Sequence, residues 1–266
     1  MSTSKKIRIL LLITVPVIAG AIAVANTTGI KKWLDRQPET SSVAEEATNK
    51  KDAAQVALMN EMLSWLKPFD TTNTSYYLNG LLTALDKTDS ANAMIDVAYT
   101  VCKNGKQFYL QMGKTETINN DEHYFFVDHA AQKMMLAKAK EVVQSPGLPV
   151  NELYDYIHSE GFVFTKETGN NRLSTIIMQN PNHISYKELS VQYDSVSRQV
   201  KKIFMRQADV TDPMNADKEK WITLVVKDWN DDPDASQYLS IHKFVQKKQD
   251  EWVIAPAYHE YELINQ

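Results

Sequence analysis

The sequence predicts a mostly β fold: a strongly curved antiparallel sheet or incomplete barrel, covered by a few helices. Many short segments alternate apolar and polar residues, polar turn clusters separate them, and few segments have the 3.6-residue spacing of a helix. Hydrophobic residues make up 43% of the 266-residue chain, enough for a sizeable core. So many consecutive strands are expected to form one curved layer.

Three basic residues, Lys5, Lys6 and Arg8, precede an apolar run from Ile9 to Ala25. This run predicts an N-terminal apolar helix, and residues 1–25 are either a cleavable signal peptide or a membrane anchor. Ala23 and Ala25 supply the small residues that cleavage before Asn26 requires. The run only reaches the lower end of the roughly 17–25 residues of a membrane span. We favour cleavage, and both interpretations predict a periplasmic domain, held by a single-pass inner-membrane anchor if the segment is retained.

Residues 26–52 are polar and predict a linker. A helical pattern begins at Asp52 and ends before Pro68, and its apolar positions are Val56, Met59, Met62, Leu63 and Leu66. We expect this helix to open one folded domain that spans residues 53–266.

The segment IDVAYTVCKNGKQFYLQMG predicts a β-hairpin, because Asn104-Gly105 is a favoured dipeptide of two-residue turns. A turn centred there pairs Val101 with Phe108, Tyr99 with Leu110 and Val97 with Met112, so one face of the hairpin is apolar. The opposite face, which carries Cys102 and Tyr109, is predicted to be much more polar.

Other strands are predicted on both sides of this hairpin. SYYLNGLLTAL precedes it as a strand, although its apolar spacing would also suit a helix, and HYFFVDHAAQKMMLAKA follows it as a strand pair or one long strand. VNELYDYIHSEGF then predicts a short helix. A second series of strands is predicted at RLSTIIMQN, KELSVQYD, RQVKKIFMRQ, KWITLVVKDW and EWVIAP.

This order of elements resembles the periplasmic lipoprotein-carrier superfamily of LolA-like and LolB-like proteins. The runs AYTVCKNGKQFYLQMG, EHYFFVDHAAQKMMLAKA and ELSVQYDSVSRQVKKIFMR carry the resemblance, and Asp194, Val200 and Ile203 fill a D-x-x-x-x-x-V-x-x-I pattern of that family. The resemblance implies a concave apolar sheet face that holds acyl chains. The matching ligand-binding candidates here are Val97, Tyr99, Val101, Phe108, Leu110 and Met112. In the competing interpretation, which we favour, these residues simply pack against the N-terminal helix of the domain.

Several functional classes are disfavoured by the composition. Outside the first 25 residues there are 26 basic and 33 acidic residues, a net charge of −7, which is unsuited to binding nucleic acid. A lone cysteine, Cys102, forms no internal disulfide, and the six histidines lack the spacing of a metal site. No nucleophile motif is present, so we expect neither a catalytic residue, a metal nor a cofactor.

The sequence therefore predicts a non-enzymatic, exported binding protein of the cell envelope. Its partner would be an apolar or acylated ligand, or another envelope protein. The alternative is a structural component, tethered to the inner membrane and part of an envelope or secretion assembly.

Overall fold

The computed structural model describes residues 53–70, 73, 75–139, 150, 153–154, 157, 160–169, 172–209 and 211–265. The predicted signal or anchor at residues 1–25 and the linker at 26–52 lie outside this part of the chain. Within the described part, no helix is long and apolar enough to cross a membrane.

The first element of the described part is helix α1, Ala53–Leu66. Fourteen strands follow in the described part: β1 Ser75–Asp86, β2 Met94–Asn104, β3 Gln107–Met112, β4 Thr115–Asn119, β5 His123–Asp128, β6 Lys133–Lys138, β7 Val163–Thr168, β8 Leu173–Gln179, β9 Tyr186–Asp194, β10 Gln199–Gln207, β11 Lys220–Asn230, β12 Val245–Lys248, β13 Glu251–Ile254 and β14 Glu262–Asn265. A short helix, α2, spans Ser236–Leu239. The sequence segment predicted as a short helix contains helical residues at Val150, Leu153, Tyr154 and Ile157.

Twelve of these strands form one curved sheet that is not closed into a barrel. Their order is β14-β6-β5-β4-β3-β2-β1-β11-β10-β9-β8-β7, and β12 and β13 form a separate hairpin. Two antiparallel meanders therefore meet where β1 pairs with β11. The predicted curved, mostly β architecture is confirmed, but the sheet is not wholly antiparallel, since β14 pairs with β6 in parallel.

The predicted β2–β3 hairpin exists, but its predicted register is wrong by two residues. Asn104 pairs with Gln107, so Gly105 and Lys106 form the turn, and Gly105 has a φ of 60°. A glycine with positive φ at the first central position is typical of a type II′ turn. Val101 consequently pairs with Leu110, and Tyr99 with Met112. Because side chains alternate with period two, a two-residue shift leaves each residue on its predicted face.

Two hydrophobic cores lie on opposite faces of the sheet. The main core contains the buried face of α1 and the side chains of Leu78, Tyr99 and Val101. The second core contains Cys102 and Tyr109, together with Ile118, Phe125, Leu136, Leu239 and Phe244. We call the sheet face toward α1 the α1 face and the other the outer face.

The second core corrects the expectation that the opposite face of the hairpin is largely polar. Cys102 is fully buried, and burial raises the pKa of its thiol to about 11. The cover comes from the C-terminal part of the chain, which packs α2 and Phe244 onto β3–β5. The sequence of the hairpin does not predict this burial, because the residues that cover it lie more than a hundred positions later in the chain.

Candidate functional site

The α1 face of the sheet carries all six predicted ligand-binding residues. Tyr99 and Val101 lie within the main core, with 5% and 1% of their surface exposed. Leu110 and Met112 are half-buried and pack against the edge of that core. These four side chains are therefore more buried on β2 than on β3.

The other two predicted residues differ in their surroundings. Val97 is half-buried, and a Cβ atom added to Gly113 would lie 3.0 Å from its Cγ1 atom. Phe108 is buried on the α1 face, where Lys103 and Asn119 are its register partners. The structure thus places all six residues on one face, where Val97 and Phe108 flank the other four at opposite ends of the hairpin.

Helix α1 lies mainly against β7, β8 and β9. The Gln55 side chain accepts a hydrogen bond from the Phe164 backbone N–H (2.7 Å) and donates one to the Phe164 carbonyl (3.0 Å). Trp65 stacks on Tyr193 with ring centroids 4.2 Å apart. The helix is therefore fixed at one end of the α1 face, away from β3–β6.

A charged contact fixes the same helix to its strands. Lys166 Nζ lies 2.8 Å from Glu61 Oε1, and the Tyr193 hydroxyl donates to the same oxygen at 2.6 Å. Burial acts to raise the pKa of Glu61, but the hydrogen bonds from Lys166 and Tyr193 outweigh it and hold that pKa below its ordinary value. The contact holds α1 against β7–β9, away from the apolar side chains of β3–β6.

An apolar row crosses the part of the α1 face that lies away from the helix. Register pairing aligns Leu110, Thr117, Phe126, Met135 and Ile264 across β3, β4, β5, β6 and β14. Thr117 is buried, Leu110, Phe126 and Met135 are half-buried, and Ile264 is 39% exposed. We call these five residues the apolar row.

Sequence reasoning found Leu110 but missed the rest of the apolar row. The alternation in HYFFVD places Tyr124 and Phe126 on one face, which was a usable signal. The sequence around Ile264 contains no such signal, because β14 is four residues long and pairs in parallel with β6, more than a hundred residues earlier in the chain.

A buried carboxylate on the outer face gathers several polar groups. Glu116 accepts hydrogen bonds from the Tyr109 hydroxyl and the Lys243 ammonium group, both at 2.8 Å. His129 Nε2 lies 2.8 Å from the other Glu116 oxygen, and His129 Nδ1 lies 2.8 Å from the Tyr261 hydroxyl. We call these five residues the Glu116 cluster.

The Glu116 cluster is well suited to joining two parts of the chain. Burial acts to raise the pKa of Glu116, but hydrogen bonds from Lys243 and His129 outweigh it and hold that pKa below its ordinary value. Burial, together with the neighbouring Glu116 charge, raises the pKa of Tyr109. The charged carboxylate binds three side chains, and one of them, Lys243, belongs to the C-terminal part. Tyr261, also of the C-terminal part, is bound through His129.

The described residues contain no group of three or more His, Cys, Asp or Glu side chains placed to hold a metal ion. His123 lies edge-on against Trp252, with ring centroids 5.1 Å apart, while His129 belongs to the Glu116 cluster. These two histidines therefore take part in separate contacts with the C-terminal part of the chain.

No protein-family model and no curated protein matches the sequence. Solved structures similar to this chain include an uncharacterized conserved protein from Thermus thermophilus, with a TM-score of 0.36 and 5% identity, covering 78% of this chain and 98% of that one. A LolA superfamily protein from Nitrosomonas europaea has a TM-score of 0.28 and 7% identity, covering 70% and 99%. A DUF1329 family protein from Desulfovibrio piger has a TM-score of 0.29 and 8% identity, covering 71% and 98%.

The superfamily that the sequence resembles is thus among the structurally similar proteins. TM-scores this low carry no functional argument. Any function must therefore follow from the residues of this chain.

Proposed function

We propose that this chain is an exported, non-enzymatic binding protein of the cell envelope that shelters an apolar or acylated ligand on the α1 face of its sheet. The observation that carries the proposal is the apolar row, which continues past the helix across β3–β6 and β14 and keeps Leu110, Phe126 and Met135 half-buried. A face used only for packing against α1 would not need these residues.

The dimensions of the apolar row suit a chain-like ligand. Five neighbouring strands spaced about 4.8 Å apart span about 19 Å, a distance comparable with the length of a long acyl chain. Leu110 and Met112 connect the row to the main core, so a ligand lying along the row would have one end against Tyr99 and Val101. Burial of apolar surface would provide most of the binding free energy.

The outer face offers a less suitable surface for such a ligand. Val225 is 37% exposed there, but its register partner on β10 is the exposed Lys202. On the α1 face, the register partners within the row are the uncharged residues Thr117, Phe126 and Met135. The absence of charge along the row favours an apolar ligand over a polar one.

Binding of a dansyl-labelled fatty acid to the purified full chain tests the proposal. Ile264→Asn should weaken binding about fivefold or more, since it places an amide on the row where an exposed apolar side chain stood. Val225→Asn is the matched control, because Val225 has nearly the same exposure on the opposite face, 37% against 39%. The control should bind the probe like the unmodified chain.

Two results would contradict the proposal. One is a folded, full-length protein that does not bind the probe. The other is an equal loss of binding in Ile264→Asn and Val225→Asn, which would point to non-specific adsorption. Urea unfolding of both variants separates a binding defect from a loss of stability.

A further inference from the structure

An open cleft of about 400 Å³ lies where α1 ends and β1 begins. Ser64, Lys67, Pro68, Asn73, Ser75, Trp229 and Asp231 line it. The volume falls within the roughly 300–1,000 Å³ of small-molecule sites. Polar and apolar atoms contribute about equally to its lining, so this cleft and the apolar row are suited to different ligands.

Backbone contacts make one wall of the cleft rigid. The Asn73 side-chain amide donates to the carbonyls of Lys67 (2.9 Å) and Pro68 (2.7 Å). The buried Lys103 ammonium group donates to the Asn73 carbonyl. These bonds tie Asn73 to the residues that follow α1 and to β2, and they form without a ligand.

Trp229 forms an aromatic wall whose orientation is also fixed. Its ring stacks with Tyr76, with ring centroids 5.2 Å apart and an angle of 15° between the planes. Phe69 packs against the same ring at 4.6 Å. Trp229 is half-buried, so part of the indole remains available to the cleft.

Several polar side chains of the cleft form no hydrogen bond with other described residues. The structure shows no hydrogen bond or ion pair for the side chains of Lys67, Ser75 or Asp231, or for the Trp229 indole N–H, within the part of the chain that it describes. Together they supply a cationic donor, a hydroxyl, an anionic acceptor and a neutral donor. These groups are available to a ligand with several donors and acceptors.

We propose that this cleft binds a carbohydrate, one or two pyranose rings in size. A pyranose has a face of C–H groups that packs on an indole, and a rim of hydroxyls that both donate and accept hydrogen bonds. The part of the Trp229 ring that Tyr76 and Phe69 leave uncovered suits the first, while Lys67, Ser75 and Asp231 suit the second. Because the charges of Lys67 and Asp231 balance, the side chains that line the cleft have no net charge that would select an anion or a cation. The inference does not rest on the proposed acyl-chain site.

Isothermal titration calorimetry of the full chain with chitobiose, cellobiose and maltotriose tests the proposal. At least one of these saccharides should bind with a dissociation constant below about 10 mM, within the range of weak specific ligands. Trp229→Ala should weaken that binding at least about tenfold, since a buried aromatic contact dominates small sites. Trp221→Ala is its control, because that tryptophan lies on the same strand but outside the cleft.

A second pair of variants addresses folding, since Trp229 also packs against Phe69 and Tyr76. Asp231→Ala and Asp232→Ala both remove an exposed acid, and of the two only Asp231 lines the cleft. Asp231→Ala should weaken saccharide binding about threefold or more, and Asp232→Ala should leave it unchanged. Failure of the whole panel to bind, or an equal effect of the two aspartate variants, would overturn the proposal.

Discussion

At the scale of single residues, Glu116 is a polar side chain that joins several elements. It accepts hydrogen bonds from Tyr109 and Lys243 and lies 2.8 Å from His129 Nε2. We expect Glu116→Gln to lower the free energy of unfolding by roughly 2–3 kcal/mol, because charge-assisted hydrogen bonds are lost and an amide N–H₂ faces other donors. Urea unfolding measures the loss, and Glu122→Gln, at an 82% exposed side chain, is the control with no expected change.

The same substitution has a defined pH dependence. A carboxyl group whose pKa is lowered in the folded state stabilises that state above its unfolded pKa, about 4.3 for glutamate. This contribution is lost as the pH falls through the lower, folded pKa of Glu116. The stability difference between the unmodified chain and Glu116→Gln should therefore shrink as the pH is lowered from about 6 toward about 3. A difference that grows on acidification would contradict this role.

The Glu116 cluster also shows what sequence reasoning could not find. Glu116 and His129 are 13 positions apart, and Lys243 follows Glu116 by 127 positions. Nothing in the spacing of the histidines or acids marks them as neighbours, since strand pairing and the return of the C-terminal part bring them together. By contrast, the six apolar positions of the hairpin could be assigned to one face, because their alternation is local.

At the scale of elements, the close approach of β1 and β11 depends on Gly80. A Cβ atom at Gly80 would lie 2.3 Å from the Val225 carbonyl oxygen, and the register of this strand pair shifts between Asn79 and Gly80. We expect Gly80→Ala to destabilise the fold by roughly 1–3 kcal/mol, because the strands must separate at the junction of the two meanders. Chemical denaturation monitored by circular dichroism measures the loss.

Gly169→Ala provides a graded comparison for this prediction. There the added Cβ would lie 3.2 Å from the Leu173 carbonyl oxygen, a milder contact than the one at Gly80. The loss of stability should therefore be smaller than for Gly80→Ala. Equal losses would show that the substitution of glycine itself, and not the β1–β11 approach, determines the effect.

The elements predicted correctly are those with a strong local pattern. β1, the β2–β3 hairpin and β8–β11 follow alternation that the sequence displays, and α1 follows 3.6-residue spacing. The turn register was wrong because Asn-Gly and Gly-Lys are both plausible turn centres in KNGK, and the apolar pattern is compatible with either. Short strands such as β4 and β14 were missed, since four or five residues carry too little periodicity to be recognised.

At the scale of the whole molecule, one sheet separates two cores. The main core lies between α1 and the sheet face formed by β1, β2 and the second meander, and the second core lies between the first meander and the C-terminal part. This arrangement leaves the α1 face of β3–β6 as a place where apolar side chains remain half-buried. No local sequence pattern predicts this exposure, because it depends on which sheet face α1 and the C-terminal part each cover.

Whether such a domain diffuses or stays fixed depends on residues 1–25. We expect cleavage after Ala25, giving a mature chain that begins at Asn26 and is recovered in the soluble periplasmic fraction. The linker 26–52 would then be a free N-terminal extension, and the domain could carry a ligand between membranes. N-terminal sequencing of protein from fractionated cells measures this directly. Retention of residues 1–25 in the membrane fraction would exclude a diffusing carrier and favour a tethered component, whose linker would instead set how far the apolar row reaches from the bilayer.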